Sequence, residues 1–82
     1  MYQPVQDAIS VAGVFSSGKF NPRKFLWNKR EYFVEEITLE SKVKDGGVRQ
    51  QFYSVLSGGT LYRLRYTLDS QEWQLSEVWY EG

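Results

Sequence analysis

The stretch Tyr62-Arg63-Leu64-Arg65-Tyr66, followed by Trp73-Gln74-Leu75-Ser76-Glu77-Val78-Trp79-Tyr80, decides the fold. In the first run three apolar residues alternate with two arginines, which in a strand puts the two kinds on opposite faces. In the second, Trp73 and Leu75 alternate with Gln74 and Ser76, then Val78 and Tyr80 resume the pattern out of phase. That slip predicts a β-bulge at Ser76-Glu77, one extra residue that returns the apolar side chains to the same face. A similar slip recurs at Glu35-Glu36, where Tyr32 and Val34 lead on to Ile37 and Leu39. Two such slips bend a sheet strongly and predict one that curls.

Turn signals mark off the rest of the chain. Asp45-Gly46-Gly47, Ser57-Gly58-Gly59, Asn28-Lys29 and the weaker Asp69-Ser70-Gln71 have turn chemistry. Ser16-Ser17-Gly18 with Asn21-Pro22 reads as a longer loop over residues 16–23. Between these marks the sequence predicts strands at about 8–15, 24–28, 30–40, 48–56, 60–67 and 72–80. Consecutive strands joined by short connections pair antiparallel. The expected fold is therefore all-β: a six-strand antiparallel meander curled into a small SH3-like barrel. It forms one domain over residues 1–82, with 1–7 as a loose N-terminal arm. A short N-terminal helix through Val5, Ala8, Ile9 and Ala12, stopped by Gly13, is the alternative for that segment. Glu36, Glu40 and Lys44 also have helical spacing, but Tyr32, Phe33, Val34, Ile37 and Thr38 all favour strand. The expected core is Ile9, Val11, Phe25, Trp27, Tyr32, Val34, Ile37, Tyr53, Val55, Tyr62, Leu64, Trp73, Leu75, Val78 and Tyr80.

Composition limits the chemistry. With neither Cys nor His, the chain has no thiol nucleophile, no imidazole base and no soft-metal ligands. The Gly46-Gly47 and Gly58-Gly59 pairs read as hairpin glycines and not as phosphate cradles, and the three Asp are scattered. Glu35-Glu36 are the only adjacent carboxylates, and a bulge with solvated acids accounts for them. The chain is expected to be non-enzymatic, with no cofactor, no metal and no small-molecule substrate. It contains no apolar run of the ~20 residues a membrane helix needs, and Met1–Asp7 lacks the basic and apolar pattern of a signal peptide. A cytoplasmic protein is the expectation, with no membrane partner.

Net charge is zero but unevenly spread. Residues 1–30 carry five cations and one acid, residues 31–82 five cations and nine acids. The cations concentrate in Lys19-Phe20-Asn21-Pro22-Arg23-Lys24-Phe25-Leu26-Trp27-Asn28-Lys29-Arg30, which has three aromatics and no acid. Cations that meet phosphates beside rings that stack on bases suit single-stranded nucleic acid, through Lys19, Phe20, Arg23, Lys24, Lys29 and Arg30. The plainer reading makes Phe25 and Trp27 an inward strand face and pairs the cations with the acidic second half. Phe20 is then the ring freest for another use. Phe33 and Phe52 point outward if Tyr32, Val34, Tyr53 and Val55 point inward, and together they would form a patch for a protein partner or a second copy. Arg63 and Arg65 share a face and are expected to pair across strands with glutamates.

The run Phe25-Leu26-Trp27-Asn28-Lys29-Arg30-Glu31-Tyr32-Phe33-Val34, with Ile37 beyond it, resembles a small bacterial domain family of unknown function that reads F-x-W-x-x-R-x-Y-x-V-x-x-V. The likeness continues through Arg49, Tyr53-x-Val55, Tyr62-x-Leu64 and Asp69 to Trp73-x-Leu75-x-x-Val78-Trp79-Tyr80-Glu81. A similar ending looks like the C-terminal tail of bacterial Y-family polymerase-like repair subunits. The resemblance implies a shared fold and, by association, a setting near replication past DNA damage. It carries no catalytic residues over. The polar stretch 40–48 departs from it, since relatives often place a tryptophan there. The resulting expectation is a non-catalytic interaction module for a protein partner or itself, with single-stranded nucleic acid as the alternative.

Overall fold

A computed structural model describes residues 1–80; Glu81, the last residue of the family-like pattern, lies outside the described residues. The described residues form eight strands: β1 (Tyr2–Ala8), β2 (Ser10–Ser16), β3 (Lys19–Trp27), β4 (Arg30–Phe33), β5 (Glu36–Asp45), β6 (Val48–Ser57), β7 (Thr60–Thr67) and β8 (Glu72–Trp79). All pairings are antiparallel. One sheet has five strands in the order β1-β8-β7-β6-β5, the other three in the order β2-β3-β4. The fold is all-β, as the alternation predicts, but the ladders form two sheets of eight strands in place of one sheet of six.

The difference comes from two bends. Only Ile9 separates β1 from β2, and only Val34 and Glu35 separate β4 from β5. Each bend carries the chain from one sheet into the other, a common way to make the corner of a two-sheet structure. At the second bend adjacent amides look opposite ways: Val34 N–H donates to Arg23 O in the small sheet, Glu35 N–H to Leu56 O in the large one, both at 2.8 Å. The Glu35 carboxylate accepts the Gly58 amide, so one of the two adjacent acids stabilises a hairpin turn. The slip at Glu35-Glu36 thus marks a change of sheet, and the bulge on β5 falls at Thr38.

The slip on β8 is a bulge. Arg63 pairs with Glu77 and Leu64 with Leu75, leaving Ser76 as the extra residue. Leu75 and Val78 on either side of it are fully buried. A bulge on β3 was hidden in the sequence: Ala12 pairs with Lys24 and Gly13 with Pro22, so Arg23 is unpaired. It brings Phe20 and Pro22 into phase with Phe25 and Trp27, all turned inward. The expected loop at 16–23 is therefore strand around a tight turn. Ser17 and Gly18 both have positive φ, as do Asn28-Lys29, Gly46-Gly47 and Gly58-Gly59. This is the primed-turn geometry that matches the twist of hairpin strands.

The N-terminal segment is neither arm nor helix. Tyr2–Ala8 pairs with β8, from Tyr2 opposite Trp79 to Ala8 opposite Gln74, with a register shift between Pro4 and Asp7. The described residues contain no helix, and so none long and apolar enough to cross a membrane. The core is Phe25, Tyr53, Val55, Tyr62, Leu64, Leu75 and Val78, with Ile9, Val11, Trp27, Tyr32, Val34, Ile37 and Trp73 packed against it. Tyr80 is a correction: it lies past the end of β8, 42% exposed, where its carbonyl accepts the Met1 ammonium. Trp27 is anchored by an Nε1–H donated to Asp7 Oδ2 at 2.8 Å, a tie between the two sheets.

Candidate functional site

The sheets close on each other at one end and part at the other. β4 is only four residues long and pairs with β3 from Lys24 to Trp27. Beyond that point the Lys19–Arg23 half of β3 has β2 on one side and no strand on the other, among the described residues. β5, which continues the β4 chain, pairs among the described residues only with β6. The β2–β3 hairpin and the β5–β6 hairpin therefore diverge. Between them lies a cleft of about 660 Å³, lined by Val11, Phe15, Phe20, Tyr53, Tyr66 and Trp73 among others.

Register explains why rings collect there. Directly opposed residues of an antiparallel pair share a face. Tyr53 is opposite Leu64, Gln51 opposite Tyr66 and Tyr66 opposite Trp73, so all of them turn toward the interior of the large sheet. Trp73 is the hub: its ring lies 4.8 Å from Tyr66, 5.6 Å from Tyr53 and 5.7 Å from Phe20. Phe20 then meets Phe15 at 5.2 Å. The Phe20 ring reaches over Gly13, its diagonal neighbour on β2, where only glycine leaves room: a Cβ on Gly13 would stand 2.7 Å from Phe20 Cζ and 2.3 Å from Asn21 O. Phe15 is 77% exposed at the outer lip, an orientation that leaves most of an aromatic surface in water.

The rim is polar and near neutral. Lys19 Nζ reaches Glu40 Oε2 across the opening at 3.4 Å, and Lys42 adds a second cation from β5. The Tyr53 hydroxyl donates to Gln51 Oε1 at 3.1 Å. Burial, reinforced by the Glu40 carboxylate and then Tyr66, raises the Tyr53 pKa above 10.0. The phenol stays neutral and acts as a hydrogen-bond donor at ordinary pH.

The residues expected to bind nucleic acid are dispersed. Lys19 and Phe20 are at the cleft, but Lys19 is paired with Glu40. Lys24 pairs with Glu31 at 3.8 Å. Lys29 occupies the β3–β4 turn and the Arg30 guanidinium sits over Tyr32 at 5.8 Å. Arg23 lies at the β3 bulge, its carbonyl bonded to Val34. Phe33 and Phe52 stand on different sheets: Phe33 on β4 is 63% exposed, while Phe52 on β6 is half-buried beneath the Arg63 guanidinium, 4.2 Å above its ring. The two do not form one patch. Arg63 also pairs with Glu77 at 3.8 Å as expected, but Arg65 donates to Gln6 and Gln74 instead of a glutamate.

Phe15, Tyr53, Tyr66 and Trp73 were not singled out as site residues by the sequence. One signal was available. Reading Ser17-Gly18 as a two-residue turn pairs Ser16 with Lys19 and Phe15 with Phe20, which is the observed register. No family model, curated protein or solved structure matches this chain.

Proposed function

We propose that this domain is a non-catalytic binding module that seats an apolar segment of a protein partner in the aromatic cleft. In this reading the two sheets work as a small SH3-like barrel of six long strands, two of them bent, left open on one side. The opening is the site. The observation that supports it is the juxtaposition of Phe15, Phe20, Tyr53, Tyr66 and Trp73 around an open cleft with a near-neutral rim. Rings that keep an apolar body and a polar tip are enriched at protein interfaces. A phosphate chain would want unpaired cations along the groove, whereas Glu40 offsets one of the two lysines that line it. The aromatic pattern of residues 25–81 makes DNA-repair proteins the first partners to try.

Selection of a displayed random-peptide library on the protein tests the proposal. Enriched peptides should carry apolar or aromatic residues, quench Trp73 fluorescence, and lose at least about tenfold in affinity on Phe20→Ala, as for a truncated interface anchor. Peptides that bind Phe20→Ala and Phe15→Ala as well as the parent protein would overturn the cleft as the site. Salt-sensitive binding of a fluorescent oligothymidine, with no peptide enriched, would turn the reading to nucleic acid.

A further inference from the structure

β5 is the edge of the five-stranded sheet, ten residues long, and among the described residues pairs only with β6. Every second residue of such a strand directs its N–H and C=O away from its neighbour. Soluble proteins blunt such edges by keeping them short or by placing Pro and charge on them. β5 has lysines and one bulge at Thr38, but it is long and has no Pro, and Leu39 and Val43 are 61% and 42% exposed.

Its sequence is also self-complementary. An antiparallel twofold contact between two copies, centred on Ser41, sets Glu40 opposite Lys42 of the second copy, and Lys42 opposite Glu40 of the second copy. In the same register Leu39 faces Val43 of the second copy, twice over. Leu39, Ser41 and Val43 lie on one face, where Ser41 is opposite Phe52 within the chain. Glu40 and Lys42 lie on the other, beside the cleft. A twofold axis through the sheet keeps like faces together, so the register can slip only in steps of two residues. One step puts Glu40 against Glu40 of the second copy; the other puts Lys42 against Lys42. Like charges directly opposite each other destabilise a pair. The Lys42-centred register also sets Glu40 opposite Lys44, but of the three only the Ser41-centred register places no like charges directly opposite each other.

We propose that this chain forms a twofold homodimer by antiparallel pairing of β5 with β5 of a second copy, centred on Ser41. The product is a continuous ten-stranded sheet with both clefts on the same side. The contact does not depend on what the clefts bind.

The chain has no cysteine, so Ser41→Cys places a single thiol on the proposed axis. Opposed residues there are roughly 4.5–5.5 Å apart at Cα, within disulfide reach. Mild oxidation should link Ser41→Cys into a dimer and leave Ser70→Cys, in the exposed β7–β8 turn, largely unlinked. Sedimentation equilibrium should show a mass that rises with concentration toward two chains. Glu40→Lys should weaken the dimer about tenfold, and adding Lys42→Glu should restore it, since two cross-strand pairs change sign and change back. A monomer mass at every concentration, equal cross-linking at residues 41 and 70, or no recovery in the double swap would overturn the proposal.

Discussion

The two ends of this domain use the same aromatic chemistry to different effect. At the closed end Phe25 stacks on Tyr32 at 5.0 Å, and Tyr62 meets both rings edge-on or tilted at 5.2 and 5.3 Å. Phe25 is almost wholly buried, and β4 seals the ladder over it. At the open end Phe20, Trp73, Tyr53 and Tyr66 sit at similar spacings, but no strand bridges β3 to β5 among the described residues. The difference lies in where β4 stops pairing and not in the residues. Aromatic rings make a core where the ladder closes and a binding surface where it parts.

The largest test of this contrast is truncation at each end. Phe25→Ala should cost about 3–5 kcal/mol, the usual range for a buried ring, a large share of the stability of an ordinary domain, and chemical denaturation should show its midpoint far below that of the parent protein. Phe20→Ala should leave the midpoint much closer to that of the parent protein while removing the cleft's central anchor. Equal losses at the two sites would mean that the open end is also core.

Alkaline titration sharpens the comparison. Tyr62 at the closed end has its pKa raised by burial first and by Tyr32 next; Tyr53 at the open end by burial first and then by Glu40. In both, folding favours the neutral phenol, so the contribution is fully present below the unfolded value of 10.0 and is lost as pH rises through the folded pKa. Stability should fall above about pH 10. Glu40→Gln should bring the Tyr53 titration down and leave Tyr62 unmoved, as followed by ultraviolet absorbance. The smallest effect is expected at the rim: Lys19 and Glu40 are exposed enough that Lys19→Ala should change stability by only about 0–1 kcal/mol, measured by thermal melting.

Much of the closed end was legible in the sequence because it depends on local alternation. Tyr62-x-Leu64, Phe25-x-Trp27 and the slip at Ser76 each name their own face. The open end depends on partners that are missing, and alternation says nothing of those. β1 was hidden because Pro4 and the polar Gln3, Gln6 and Asp7 give it no apolar rhythm; pairing with β8 alone makes it a strand. The Lys19–Arg23 half of β3 was hidden because Asn21-Pro22 mimics a loop and the bulge at Arg23 breaks the phase. Both segments border the cleft or tie down its floor, so a sequence pattern that hides them hides the site as well.

The joints at Ile9 and at Val34-Glu35 carry one more implication, for how the chain folds. Each is too short to absorb a change of register, so a one-residue slip in the small sheet would be passed on and turn the large sheet's residues inside out. Neither sheet can settle its pairing alone. Amide exchange should therefore find the slowest protons of β3 and β7 opening together, in one cooperative event.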